Sequence, residues 1–247
     1  MLKINQIRCE VGETFSIHHI AKKLRCSAND IYSFEIDRES IDARGDDLHY
    51  SYSVYASIKN EDKYLKNRDV KKEIKEVYVL PTTTKTPNQR PIIVGFGPSG
   101  MYAGLILAEA GLKPIIIERG QAVEQRTKDI NAFFTKGKLL ESSNVQFGEG
   151  GAGTFSDGKL TTRMKNVRVS KVYEEFVEAG ANPAILYQQR PHLGTDVLQS
   201  IVKKIREKII RLGGEVHFDT KLESLLLNGN QIIGIHTNKQ DFTTDSV

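Results

Sequence analysis

Three glycines and one acid have the residue types and the spacing of a nucleotide-binding turn. Gly95, Gly97 and Gly100 directly follow the apolar run Ile92–Val94. Glu118 directly follows a second apolar run. The first glycine permits a tight turn, the second lets a phosphate approach the backbone, and the third lets a helix pack closely on a strand. The acid can accept hydrogen bonds from ribose hydroxyls, so the pattern predicts a strand–helix–strand dinucleotide site.

The helix after this turn would supply the phosphate contact. Its first turn begins at Pro98 and Ser99, and a helix N-terminus offers backbone N–H groups and the positive end of the helix dipole. A structural turn without a ligand is the alternative. Glu118 would repel a phosphate group on the neighbouring ribose. The pattern does not distinguish FAD from NAD.

A second glycine-rich segment occupies residues 144–160, with the sequence NVQFGEGGAGTFSDGKL. Glycine loses more conformational entropy on ordering than any other residue. An ordered loop of this kind therefore predicts that a ligand or another backbone passes close to it. A flexible surface loop is the alternative, but Phe147, Phe155 and Leu160 favour a loop that is anchored by its side chains.

The composition is that of an ordinary globular protein, with 39% hydrophobic and 27% charged residues. A net charge of +4 does not by itself indicate a nucleic-acid partner. The apolar runs are too short to span a bilayer, and the N-terminus lacks the apolar core of a signal peptide. Cys9 and Cys26 form neither a disulfide framework nor a metal set. We therefore expect no bound metal, no membrane partner and a cytoplasmic location.

Residues 1–82 are predicted to form a separate small α+β domain. Alternating apolar residues indicate strands near Leu2 and in the stretch 50–58, and Ser16 would cap a helix that contains Ile17. A weak second helix in 60–75 and a last strand in 77–80 would complete a β-α-β-β-α-β order, which is ferredoxin-like. The polar residues 83–90 form a predicted linker.

Residues 91–247 are predicted to form the dinucleotide-binding domain, with a Rossmann-like α/β fold. Helices are expected over 123–135, 170–178 and 196–212, and short strands over 216–218, 222–227 and 232–235. Asn228 and Gly229 would form the hairpin turn between the last two strands.

The sequence also resembles a known family. The run SNVQFGEGGAGTFSDGKL, together with ERGQAVEQRT at 118–127 and PHLGTD at 191–196, is similar to a bacterial family of FAD-dependent dehydrogenases. These proteins are flavoproteins of the two-dinucleotide-binding-domain kind that carry a ferredoxin-like domain at the N-terminus. The resemblance extends over nearly the whole chain and implies FAD more firmly than it implies a substrate.

The resemblance implies a role for each matching residue. Arg119 and Arg126 would lie near the phosphates, and Gly150–Thr154 would face the pyrophosphate and the ribityl chain. Ser156 and its neighbours would lie toward the isoalloxazine. Together with the first glycine turn, the FAD-binding residues implied in this way are Gly95, Gly97, Pro98, Ser99, Gly100, Glu118, Arg119, Arg126, Gly150, Gly151, Ala152, Gly153, Thr154, Ser156, Asp157, Lys159 and Leu222.

Two of these assignments compete with simpler ones, and His192 has two possible roles. Arg126 could instead lie on a solvated helix face, and Lys159 could lie on the surface. His192 would either approach the flavin or precede a helix that is capped by Thr195 or Asp196. No catalytic residue is assigned, because no nucleophile or acid–base set is recognisable.

The resemblance also sets an expectation about completeness. In the family, a glycine-containing turn and a later Gly-Asp motif follow the segment that ends here at Val247, so the chain resembles the N-terminal half of a longer enzyme. We expect it to bind little FAD alone, to show no dehydrogenase activity, and to self-associate through an open sheet edge.

The expected function is that of an FAD-binding oxidoreductase with an unknown substrate and redox partner. The alternatives are an RNA-modifying flavoprotein, for which no RNA-binding signature is present in 1–80, and an NAD-binding Rossmann module. Disulfide reductase chemistry is excluded, because Cys9 and Cys26 lie in the other predicted domain.

Overall fold

The structure is a computed structural model that describes residues 1–44, 47–82, 87–162, 164 and 166–247. The described residues form two compact units. Unit 1 contains Met1–Tyr78, Thr161–Val177 and Asn182–Pro191, and unit 2 contains Val79–Leu160, Glu178–Ala181 and His192–Val247.

Unit 1 is built on a four-stranded antiparallel sheet. Its strands are β1 (Leu2–Glu10), β2 (Ile31–Asp42), β3 (His49–Ile58) and β4 (Val70–Lys72), in the order β2-β3-β1-β4. Alternate residues of β1 and β3 point into one core, which confirms the strand pattern predicted for these two segments.

One helix covers the apolar face of this sheet. Helix α1 (Ile17–Leu24) begins after Ser16, which is the predicted N-cap. Ile20, Ala21 and Leu24 lie on one side of the helix and are buried against the sheet. The sequence thus predicted the start and the buried face of α1.

The second half of unit 1 differs from the prediction. The stretch 60–75 contains one 3-10 turn, Glu61–Tyr64, followed by β4, in place of a helix. The strand expected near Val77 and Val79 is wrong, because both side chains are exposed and these residues pair with no strand of the described chain. The strand order fits a β-α-β-β-α-β chain, but the ferredoxin-like classification stays a prediction because the second helix is only a turn.

Unit 1 also includes residues from later in the chain. The helix α4 (Val167–Glu178) contributes its residues up to Val177. The Glu39 N–H donates to the carbonyl of Tyr187 over 2.8 Å, and Glu39 forms a parallel bridge with Gln188. The domain boundary predicted from sequence placed these later residues in 91–247 with the dinucleotide site. Residues 83–86 of the predicted linker lie outside the described residues.

Unit 2 contains the predicted strand–helix–strand element. Its parallel sheet has the order β5-β6-β7, from β5 (Ile92–Val94), β6 (Ile115–Ile117) and β7 (Glu215–His217). The helices of unit 2 are α2 (Pro98–Glu109), α3 (Val123–Lys136) and α5 (Thr195–Arg211). The predicted helices over 123–135 and 196–212 are confirmed to within one residue at each end. This is a Rossmann-like α/β fold.

A small antiparallel sheet completes unit 2. It consists of β8 (Leu222–Asn228), β9 (Gln231–Thr237) and β10 (Asp241–Thr243), in the order β10-β9-β8. The hairpin turn lies at Gly229 and Asn230, one residue later than predicted, because Asn228 still pairs with Gln231. Ile235 of this sheet packs with Ile92, Ile115 and Ile117 of the parallel sheet, so one core joins the two sheets.

Strand β5 lies at an edge of the parallel sheet within the described chain. The Ile92 N–H donates to the carbonyl of Ser246 over 2.9 Å, so the last residues of the chain run beside this edge. An apolar groove here is lined by Ile93, Leu107 and Val247 among others. In the part of the chain that the structure describes, no helix is long and apolar enough to cross a membrane.

Candidate functional site

The turn between β5 and α2 is open where the sequence predicts a phosphate. Gly95 has a φ of +96° and donates its N–H to the carbonyl of Ile117 over 2.7 Å. Gly97 is the N-cap of α2, and apart from its neighbours in the chain no described atom lies within 4 Å of the position that a Cβ would take there. A group can therefore approach the backbone at Gly97 and meet the positive end of the helix. Pro98 and Ser99 are in the first turn of α2, as predicted.

The next two glycines close the element by packing. A Cβ at Gly100 would lie 1.9 Å from the carbonyl oxygen of Gly95, and a Cβ at Gly104 would lie 2.4 Å from Cδ1 of Ile116. Such distances are far inside van der Waals contact. Gly97 thus leaves space beside the helix N-terminus, whereas Gly100 and Gly104 allow the helix to lie against the turn and the sheet.

Glu118 directly follows β6, and its side chain contacts both the turn after β5 and the turn after β6. Its side chain is buried; Oε2 accepts the Phe96 N–H over 2.7 Å and Oε1 accepts the Gly120 N–H over 2.8 Å. The carboxylate therefore lies beside the glycine turn, as the spacing predicts. Each oxygen keeps a second acceptor site, and its use for a ribose hydroxyl stays a prediction.

The second glycine segment lies directly on the first. The Gly150 N–H donates to the carbonyl of Phe96 over 2.7 Å, and a Cβ at Gly151 would lie 3.2 Å from Cδ of Pro98. A Cβ at Gly120 would lie 2.5 Å from Cα of Gly148, so the backbones also touch on the β6 side. The structure therefore contradicts the flexible surface loop and confirms that another backbone passes close to these glycines.

Arg126 stabilises this loop through hydrogen bonds on its buried side. The side chain of Arg126 on α3 is fully buried, and its guanidinium donates to four backbone carbonyls of the loop over 2.7–2.9 Å. The acceptors are Asn144, Val145, Glu149 and Gly151. Burial lowers the pKa of Arg126 to about 10.

This geometry rules out the solvated helix face for Arg126. Four of its five N–H donors are already used within the loop, and the Phe155 ring lies 4.8 Å from Cζ. Arg126 is therefore a residue that orders the loop. A phosphate contact by its remaining N–H stays a prediction.

Glu149 is a buried acid that the sequence analysis missed. Its Oε2 accepts the Val123 N–H over 2.7 Å and an Arg206 Nη1–H over 2.9 Å. Its Oε1 is buried and has no hydrogen-bond partner among the described residues. Burial raises the pKa of Glu149 to about 7, although Val123 and Arg206 oppose that shift. The signal for this role was Ala122, because an alanine N-cap leaves the first N–H groups of α3 for another acceptor.

The remaining predicted residues of the loop lie in or next to the 3-10 turn Ala152–Phe155, which includes Gly153. Thr154 is buried, and its hydroxyl donates to the carbonyl of Glu149 over 3.1 Å. Ser156 donates its hydroxyl to the carbonyl of Gly153 over 2.7 Å.

Asp157 and Lys159 pair with each other at the surface, 2.8 Å apart, and the place of Lys159 toward the isoalloxazine stays a prediction. Exposed His192 forms an antiparallel bridge with Lys159. Helix α5 is capped by Gly194, and the cap expected at Thr195 or Asp196 is wrong. The Thr195 hydroxyl donates to the carbonyl of Ser156 instead, over 2.6 Å.

Two predicted residues lie apart from the loop interior. Arg119 is exposed, and its guanidinium stacks on the Phe147 ring at 3.7 Å from the centroid. Leu222 begins β8 and packs against the core that contains Ile92 and Ile235. The FAD contact that the family resemblance implies for Leu222, between its backbone and adenine, stays a prediction.

We predict that Arg126→Met lowers the free energy of unfolding by about 3–5 kcal/mol, because it removes a buried charged group and leaves its partner carbonyls unpaired. Arg119→Met is the matched control, and its loss should stay near 1 kcal/mol, the scale of an exposed cation–π contact. Denaturant unfolding measures both values. Equal losses in the two variants would contradict the role assigned to Arg126.

We predict that Glu149 makes the protein less stable as pH rises from about 4.5 to 7. The folded state holds the Glu149 proton up to about pH 7, whereas the unfolded state releases it near 4.5. The folded state therefore binds more protons in this interval, and stability falls with pH by up to about 3 kcal/mol, at about 1.4 kcal/mol for each pH unit. Glu149→Gln should lack this decline in urea unfolding at pH 5 and pH 8. Parallel pH curves for the two proteins would refute it.

Different parts of this chain match different known families. Residues 1–57 match a family described as a domain of unknown function (DUF8436), and residues 89–246 match a family described as FAD binding domain. An uncharacterized protein of Clostridium beijerinckii is 42% identical over 253 residues. The match covers 100% of this chain and 48% of that protein, so the chain spans about half the length of this curated relative.

Solved structures give only weak likenesses. THI4 from Thermovibrio ammonificans is 18% identical, with a TM-score of 0.40 over 64% of this chain and 54% of that one. A 3-ketosteroid-delta4-(5alpha)-dehydrogenase from Rhodococcus jostii RHA1 is 13% identical, with a TM-score of 0.37 over 68% and 47%. Likenesses at this level carry no argument. The match over 89–246 covers more than half of the chain, so the chain belongs to the FAD binding domain family and its cofactor is FAD.

Proposed function

We propose that this chain is the FAD-binding part of an FAD-dependent oxidoreductase of the dehydrogenase kind. One observation carries the proposal: the two glycine segments meet at the N-terminus of α2. The hydrogen bond from Gly150 to Phe96 and the contact of Gly151 with Pro98 bring both backbones to one place. Two glycine-lined backbones beside a helix N-terminus suit a diphosphate, which needs close approach and N–H donors.

The fit of FAD to the site rests on space and charge. The opening at Gly97 would receive the pyrophosphate. Glycine has no Cβ to fill this space, and no other described side chain enters it. Glu118 lies at the end of β6 beside the same turn, where its carboxylate would accept ribose hydroxyls. Gly151 and Gly153 would line the way toward the ribityl chain.

Bound FAD supplies a hydride acceptor. The chain's own residues bind and orient: α2 directs its N-terminus at the phosphates, and Arg126 keeps the second loop in place through four carbonyls. We assign no acid or base, because the substrate is unknown. We propose substrate turnover for longer proteins related to this chain, because the Clostridium beijerinckii relative is about twice as long as this chain.

The proposal includes two points about the surroundings of the protein. Cys9 and Cys26 are both free thiols, which suits a reducing cytoplasm. Strand β5 is an edge strand and has an apolar groove beside it, which suits self-association of the chain or pairing with a further segment.

A chimera tests the oxidoreductase activity. This chain replaces the matching 253-residue segment of the Clostridium beijerinckii relative, and flavin absorbance is followed without oxygen after a small-molecule cell extract is added. We expect the flavin to be bleached faster than in the same chimera with Gly97→Val, at equal total FAD. Equal rates would mean that the extract reduces unbound FAD and would contradict the proposal.

We predict that Gly97→Val, placed in the same full-length chimera, weakens FAD binding by at least tenfold and leaves the fold intact. Gly97 has a φ of −73°, which any residue adopts, and its Cβ position is open, so valine would fill only the space proposed for the pyrophosphate. Titration with FAD gives the dissociation constant, and circular dichroism checks the fold.

The matched control is Gly100→Ala. Its Cβ would strike the Gly95 carbonyl, so it should lower the free energy of unfolding by about 1–3 kcal/mol. A Gly97→Val protein that binds FAD with the wild-type constant would show that the pyrophosphate lies elsewhere.

A further inference from the structure

A second group of polar side chains lies in unit 1. Cys9 is the second-last residue of β1, Glu13 lies in the turn that follows, and His19 lies in the first turns of α1. The thiol sulfur of Cys9, a carboxylate oxygen of Glu13 and a ring nitrogen of His19 all lie within 4.8 Å of one another. We propose that these three residues bind a divalent transition-metal ion of the zinc type.

The donor set suits this class of ion. Thiolate, imidazole and carboxylate are the three protein ligands of zinc, and a thiolate with an imidazole disfavours magnesium and calcium. Three protein ligands leave one position of a tetrahedral site for another group. Glu13 and His19 also line a cavity of about 410 Å³, so water can reach the ion and complete its coordination.

The His19 ring is held in place by Ser16 and faces Glu13. The Ser16 N–H donates to Nδ1 over 3.2 Å, and Nε2 lies 3.3 Å from Oε2 of Glu13, so the neutral ring carries its proton on Nε2. The Phe15 ring stacks on the imidazole at a centroid distance of 5.3 Å. A metal ion at Nε2 requires this proton to move to Nδ1, which can then donate to the Ser16 hydroxyl 3.2 Å away. An outer hydrogen bond of this kind fixes the tautomer of a metal-binding histidine.

The Cys9 sulfur lies in a polar corner of the core. The residue is buried, and its sulfur lies 3.9 Å from the carbonyl oxygen of Glu10 and 3.7 Å from that of Glu13. A metal ion would stabilise the thiolate in this buried position.

Basic residues also line the cavity, but two of them are paired. Arg8 pairs with Glu10 over 2.7 Å, and Lys23 pairs with Asp69 over 2.6 Å. Their charges therefore oppose the metal ion less than bare cations would. The expectation of no bound metal considered only the two cysteines; in the structure, Glu13 and His19 supply the ligands that a second cysteine would have supplied.

Equilibrium dialysis of the whole chain against Zn²⁺ tests the site. We expect one zinc ion per wild-type chain and at least a tenfold loss of affinity in His19→Gln. His18→Gln is the matched control, because His18 is the exposed neighbour outside the three-residue group, and its affinity should match that of the wild type. No zinc binding by the wild type, or equal affinities for the two histidine variants, would overturn the proposal.

Thiol reactivity gives a second measurement, and its first comparison keeps all three proposed ligands in place. The chain has two cysteines, so Cys26→Ser leaves Cys9 as the only thiol. Zinc should slow the reaction of Cys9 with a thiol reagent at least tenfold in Cys26→Ser. The protection should disappear in Cys26→Ser with His19→Gln, while circular dichroism stays unchanged. A reaction rate that zinc does not change would also overturn the proposal.

Discussion

The burial of one guanidinium is the constraint on which the proposed FAD site depends. A glycine-rich loop has a high entropy cost of ordering and few side chains to offset it. Arg126 stabilises the ordered loop by donating to carbonyls that extend from its first residue, Asn144, to Gly151. Because the charge lies away from water, these bonds are strong, and removing either side leaves unpaired buried groups. Arg126 therefore stabilises the loop from its buried side. The opposite side of the loop stays accessible to a ligand.

Such an arrangement concentrates charge inside unit 2, and the acids there balance it. Glu149 is buried beside Arg206, which also pairs with Glu124 over 2.7 Å. The hydrogen bond from Val123 ties the same acid to the start of α3, the helix that carries Arg126. The loop, α3 and α5 thus share one polar network. The unpaired oxygen of Glu149 is the weak point of this network, and burial of the acid raises its pKa to about 7.

The elements that the sequence predicted correctly are those whose signal is local. The spacing of glycines and acid set the turn after β5, and the 3.6-residue periodicity set α1, α3 and α5. The role of Arg126 was not visible, because its partners lie 18 to 25 residues later in the chain. On α3 it shares the buried side with Val123 and Ile130, but the carbonyls that it meets there belong to the loop. Glu149 was missed for the same reason, since its partner Arg206 is 57 residues away.

The helix predicted within 60–75 of unit 1 shows the opposite case. There the local helix signal is weaker than the pairing of this segment with the sheet. The stretch 60–75 is rich in lysine and acidic residues and offers no continuous apolar face, so a helix there would have little to bury. Val70 instead enters the core as part of β4, where its strand pairs with β1. That pairing involves Leu2–Ile4 at the start of β1, whereas the end of β1 at Glu10 pairs with His49 of β3. Cys9 points into the core beside the turn that holds Glu13, and the three proposed ligands meet where the end of β1, this turn and the start of α1 come together.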